Sequence, residues 1–166
     1  MEKIISVYWF AILFLVAGGV YMMVASFYGK PYDIREVEAN ILSEKVADCI
    51  SYAGVVNPKI YDINKGFNFS FEQNFLKECN LNFNVENDWS RTQYFILVEF
   101  FDINEKPVFN FSAGNFNLKA NCEVQKEKSY KKLGYCLKKK FYSTSGDKQF
   151  LIKITSVVAK NEKNIE

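Results

Sequence analysis

Between Lys126 and Lys140 the chain carries seven lysines, at 126, 128, 131, 132, 138, 139 and 140, with Tyr130 and Tyr135 among them. Clustered ammonium groups can hold an anionic headgroup, a surface polymer or nucleic acid, and the interleaved phenols could stack on a ligand. Lys131, Lys132, Lys138 and Lys139 are the candidates for such an anion site. The plainer reading is a solvated loop and an edge strand that lysines protect from aggregation. Cys122 and Cys136 bracket the segment. A disulfide between them would close a loop of about 15 residues and stabilise it by ~3 kcal/mol on the loop-entropy model. Cys49 and Cys79 complete an even set of four, and none belongs to a CxxC pair. That count suits two disulfides in an oxidising compartment, and four cysteines allow three pairings. Four buried free thiols in a cytosolic domain are the alternative.

Other chemistry is sparse. The chain contains no histidine, which removes the commonest general acid/base, the His-dependent triads and every His-containing metal site. It has no phosphate-binding glycine loop, no Gly-x-Ser-x-Gly elbow and no carboxylate spacing suited to a divalent cation. Asp102 with Glu105, and Glu86 with Asp88, read as turn residues, and Trp89 as core. A net charge of +2 argues against a dedicated nucleic-acid binder. No catalytic residue, metal, cofactor or small-molecule substrate is expected. Two sequons, Asn68-Phe69-Ser70 and Asn110-Phe111-Ser112, make Asn68 and Asn110 glycosylation candidates.

These groups must be positioned by a chain of 166 residues with a marked division of character. Ile4 to Tyr28 is an uncharged apolar run of about 25 residues, long enough to cross a bilayer as a tilted helix. It exceeds the 7–15 residues usual for a signal-peptide core, so a retained anchor is favoured over cleavage near Val24-Ala25-Ser26. Ala11, Gly18 and Ala25 recur on one face and would let another membrane helix approach closely. Two lines of evidence disagree on orientation. Lys30, Arg35 and Lys45 would hold the following domain in the cytoplasm, whereas the cysteines and, more weakly, the two sequons point outside. The outside is favoured.

After Gly29-Lys30-Pro31-Tyr32, a second helix is expected from Asp33 to about Ser51. Asp33 would cap it, Glu36 would complete a capping box and Gly54 would stop it. Ile34, Val37, Ile41, Leu42, Val46, Cys49 and Ile50 would form one buried stripe. A short helix is expected over 71–79, capped by Ser70 with Gln73, and its packing against the end of the spine helix would let Cys79 reach Cys49. Strands are expected at 94–101, 108–111, 116–124, 137–142 and 150–158, the last two joined by Ser145-Gly146-Asp147. In the last strand Phe150, Ile152 and Ile154 would face the core, and Leu151, Lys153 and Thr155 the other side.

The fold class is therefore α+β: an N-terminal transmembrane helix and an amphipathic spine helix packed against a small antiparallel sheet. The divisions are 1–28 anchor, 29–54 junction and spine helix, 55–159 globular and mostly β, and 160–166 polar tail. The apolar N-terminus running into Pro31-Tyr32-Asp33-Ile34-Arg35-Glu36-Val37-Glu38-Ala39, then Ile41-Leu42 and Lys45-Val46-Ala47-Asp48-Cys49-Ile50, resembles single-pass archaeal proteins of the type IV pilin-like kind. The resemblance covers about the first 55 residues. It implies an N-terminal helix acting as a spine with a sheet domain on its outer half, and a role in surface filaments. Pilins normally have a short basic leader ending at a small residue; here Met1-Glu2-Lys3 precedes the run directly, which suits an accessory or minor component. Expected partners are the membrane and other membrane-helix or pilin-like subunits. The alternative is a membrane-anchored binding module, an adhesin or receptor ectodomain, using the lysine-rich loop.

Overall fold

The computed structural model describes residues 2–28, 33–83, 92–124 and 134–159. It is an α+β protein that divides into two units, one holding Met1–Asp33 and the other Ile34–Asn161. The first unit is the helix α1, Glu2–Tyr28, within which Val7–Tyr28 is long and apolar enough to span a membrane. Ala11, Gly18 and Ala25 are all exposed on it, and a Cβ built on Gly18 would meet nothing within 4 Å.

The second unit is built on a six-stranded sheet. Its strands are β1 (Ser51–Tyr52), β2 (Val55–Val56), β5 (Tyr94–Phe101), β6 (Pro107–Gly114), β7 (Tyr135–Ser145) and β8 (Lys148–Val158), in the order β1-β2-β7-β8-β5-β6. A separate hairpin pairs β3 (Tyr61–Asp62) with β4 (Gly66–Phe67). Pairing is antiparallel except between β2 and β7, which touch in parallel register at Val55 and Thr144. The β7–β8 hairpin turns through Gly146-Asp147, with Ser145 opposite Lys148 and Gly146 at φ +58°, where glycine costs least. Gly114 ends β6 at φ +94°, and a Cβ there would lie 2.2 Å from the Tyr94 carbonyl oxygen, so the position requires glycine.

One face of the sheet is covered by α2 (Arg35–Ile50) across β7 and β8, and by α3 (Phe69–Glu78) against β6. Between them lies the main core: Leu42, Val46 and Ile50 from α2, Phe71 and Phe75 from α3, and Ile96, Val98, Phe100, Phe109, Phe111, Phe150, Ile152 and Ile154 from the sheet. On the opposite face, a 3₁₀ turn at Phe116–Leu118 and the short helix α4 (Lys119–Val124) cover one end. Phe95, Cys122 and Val157 make a second, smaller cluster there.

Several sequence expectations need correction. α2 begins at Arg35 and its capping position is Ile34, whose side chain makes no capping hydrogen bond, so the cap falls one residue later than the expected Asp33. Its buried face is Arg35, Ala39, Leu42, Ser43, Val46 and Ile50, whereas Val37 (55%) and Ile41 (49%) are exposed. The reason is a polar seam: the Ser43 and Ser156 hydroxyls meet at 2.7 Å, and Ser156 donates to the Ala39 carbonyl at 3.1 Å. That contact sets the rotation of the helix over β8. Gly54 does not stop the helix; with Ala53 it forms the β1–β2 turn, both at positive φ. α3 is capped by Asn68 rather than Ser70. Residues 116–124 are helical rather than extended, because the Asn115 carboxamide accepts from the Asn117 N–H and starts a turn. β8 is buried on both faces along much of its length, Leu151 and Thr155 included, as befits an inner strand.

Candidate functional site

The structure pairs Cys49 with Cys79 and Cys122 with Cys136, at Cα separations of 5.5 and 5.2 Å. The first bond ties the last turn of α2 to the residue after α3. The second joins α4 to β7, and thereby fixes the start of the lysine-bearing strand. Lys131 and Lys132 lie outside the described residues, as do Lys126, Lys128, Tyr130, Trp89, Glu86, Asp88, the 29–32 junction and the tail.

The two remaining candidate lysines do not share a face. Strand alternation sends Lys139 toward α2, where its ammonium meets Glu44 at 3.0 Å in a largely exposed ion pair. Lys138 points to the other face, opposite Thr155. There the register assembles a group that the sequence reading did not find. Lys140 lies directly opposite Lys153, Lys153 opposite Glu99, and Glu99 opposite Asn110, so four strands contribute to one row. The Lys153 ammonium also sits 3.8 Å from the centroid of the Phe101 ring, a cation–π contact. Tyr142, 62% exposed, flanks the row on β7. Two like charges directly opposite each other are unfavourable. Glu99 and the Phe101 ring offset this for Lys153, while Lys138 and Lys140 project to solvent. Lysine–lysine proximity across a hairpin depends on register, and the Ser-Gly-Asp turn was the only sequence signal that could have given it.

An open cleft of about 540 Å³ lies near the end of the sheet that carries the Gly146-Asp147 turn. Tyr61, Phe67 and Phe150 line it, with Ile103, Val108, Asp102, Asp147 and Lys148 around them. Tyr61 packs edge-on against both Phe67 and Phe150, and the Lys148 ammonium lies 5.5 Å from the Tyr61 ring centroid. The Asp102 carboxylate accepts the N–H groups of Asn104 and Lys106 and so is engaged as a turn residue. Among the described residues no three His, Cys, Asp or Glu side chains gather as a metal site would need.

Comparison with family models, with curated proteins and with solved structures finds no match to this chain.

The perturbed titratable groups are structural. Burial, with the Glu38 carboxylate beside it, pushes the Tyr94 phenol up to about 12, and its hydroxyl donates to Glu38 at 3.3 Å. Burial and then Glu36 raise Tyr135 in the same direction. Two phenols thus hold the first turn of α2 to the sheet. Lys59 holds Glu78 below the usual carboxylate range through a 2.7 Å ion pair.

A pH dependence follows from Tyr94. The unfolded chain releases that proton near pH 10, whereas the folded chain keeps it to about 12. The contribution of the neutral phenol is therefore complete below pH 10 and is lost as pH rises toward 12. Urea titrations across this range should show stability declining less steeply in Tyr94→Phe than in the parent. Parallel declines would show that the phenol does not couple to folding.

Proposed function

We propose that this chain is a non-enzymatic, membrane-anchored structural or assembly protein. Its folded unit lies on the extracytoplasmic side, and it serves as a pilin-like accessory or minor component of a surface filament or secretion-like assembly. The observation that carries the reading is the pair of disulfides in the unit that follows an apolar helix of spanning length. Structural disulfides persist in oxidising compartments. A helix laid over an antiparallel hairpin and linked by Cys49–Cys79 to the next helix fits a load-bearing spine better than a loose tether. The exposed Ala11, Gly18 and Ala25 face supplies a contact for a neighbouring membrane helix.

A second reading, an anchored binding module, draws support from the Lys138, Lys140 and Lys153 face. The two differ in what they need. Leucine at Ala11, Gly18 and Ala25 together should abolish crosslinking of the chain to membrane-helix partners in intact membranes while leaving both disulfides formed. Unchanged crosslinking would contradict the assembly role. Loss of ligand retention on neutralising Lys138, Lys140 and Lys153, with crosslinking intact, would favour the binding module.

A further inference from the structure

The six-stranded sheet ends in two edges that are protected very differently. At one end the two-residue strands β1 and β2 cover little of β7: among the described residues β2 pairs with it at Thr144 alone, and the strand beyond that point carries Lys138, Lys139 and Lys140. Charges of this kind discourage pairing with a foreign strand. β6, at the other end, has no charged residue in its eight positions, Pro-Val-Phe-Asn-Phe-Ser-Ala-Gly. Pro107 blunts only its first position. An uncharged, aromatic-rich edge of this length is a template for edge-to-edge association.

The second sequon lies within that edge. Phe111, its middle residue, is buried in the main core at 1% exposure, which turns Asn110 and Ser112 together onto the exposed face. The Asn110 carboxamide makes no hydrogen bond among the described residues. Asn68 is placed otherwise. Its Oδ1 accepts from the Ser70 N–H at 3.0 Å to start α3, and its Nδ2 donates to the Lys59 carbonyl at 3.1 Å. A substituent on that nitrogen would crowd a contact that holds the α3 cap to the preceding loop.

We infer that Asn110 is an N-glycosylation site whose glycan guards the β6 edge, and that Asn68 is left unmodified. In the transfer, the Asn110 amide nitrogen bonds to the anomeric carbon of a lipid-pyrophosphate-linked oligosaccharide. The bond from that carbon to the phosphate oxygen breaks, the lipid pyrophosphate departs, and the amide nitrogen gives up one proton. The product carries a large hydrated group on the sheet face beside the β6 edge, which pairs with no further strand among the described residues, and there it hinders approach of a second strand. The inference rests on the extracytoplasmic reading above.

The test uses the full chain produced in cells whose own oligosaccharyltransferase acts on Asn-x-Ser/Thr, with the membrane fraction digested without reduction and analysed by mass spectrometry. The Asn110 peptide should carry a glycan mass and the Asn68 peptide none. Asn110→Gln and Ser112→Ala should each abolish the modification and shift the detergent-solubilised protein toward dimers or larger species. An unmodified Asn110 peptide, or a glycan on Asn68 alone, overturns the inference when Cys122–Cys136 is recovered as a disulfide, and the extracytoplasmic reading then survives. An unmodified peptide with free thiols overturns both. Modified protein whose glycan-free variants stay monomeric removes the guarding role.

Discussion

Replacing both Cys49 and Cys79 by serine is expected to cost the Ile34–Asn161 unit about 3.5 kcal/mol, from a sequence separation of 30 on the loop-entropy model. The bond links the C-terminal turn of α2 to the residue that follows α3, and both helices bury side chains in the same core. Without it the unfolded chain regains the freedom of that loop, while the native contacts of Val46, Ile50, Phe71 and Phe75 are unchanged. The effect should therefore appear as a lower urea midpoint with a similar or slightly steeper slope, since the unfolded state becomes less compact. Reduction of the parent with a thiol reagent should reproduce the shift from this bond and add that from Cys122–Cys136, which closes a shorter loop. A double-serine protein as stable as the parent would show that the bond contributes little to the folded unit.

Phe100→Ala is expected to be of similar size, about 3–5 kcal/mol. Phe100 is fully buried near the C-terminal end of β5 and has four aromatic neighbours: Phe67 at 5.2 Å, Phe109 at 6.1 Å, Phe150 at 6.2 Å and Phe111 at 6.5 Å between ring centroids. These rings come from β4, β5, β6 and β8, so truncation leaves a cavity at a point where four strands must hold their spacing. Edge-to-face geometry adds to the loss beyond buried area. Phe100→Leu should recover a large part of it, because it retains most of the apolar volume. An alanine variant within 1 kcal/mol of the parent in chemical denaturation would mean that the cluster collapses around the gap.

How much of this was legible beforehand depends on whether the decisive contact was local. The apolar run, the Tyr94–Phe101 strand and the Ser145-Gly146-Asp147 hairpin rest on composition and short-range turn chemistry, and the structure has all three. The even cysteine count is legible as two bonds, and both observed pairs are among the candidates: Cys122 and Cys136 bracket one segment, and Cys79 reaches Cys49 through the short helix docked on the end of α2. The rotation of α2 was not legible. Val37 and Ile41 look like core residues in the helix alone, and only Ser156, more than a hundred residues away, selects Ser43 for the inside. Residues 116–124 misled for a related reason. Their apolar residues fit a strand, while Asn115 and the Cys122–Cys136 bond hold them as a turn and a helix. The Lys140–Lys153–Glu99–Asn110 row is a product of register across four strands. The Ser-Gly-Asp turn encodes its Lys140–Lys153 pair, but not the Glu99 and Asn110 that complete it from strands far off in sequence.

The same reasoning bears on the candidate anion site. Lys138 and Lys139 are adjacent in sequence and on opposite sides of a sheet, so a patch inferred from a charge run splits once the run becomes a strand. What takes its place on the open face is a group with an internal carboxylate and an internal cation–π contact, which reduces the demand for an external anion.

The central claim is that the folded unit lies outside the cytoplasm with its cysteines paired. It is tested most directly by labelling intact cells with a membrane-impermeant maleimide, with and without an impermeant reductant. The account predicts no labelling before reduction and labelling at all four cysteines after it, without lysis. Labelling that requires lysis but no reductant would contradict it.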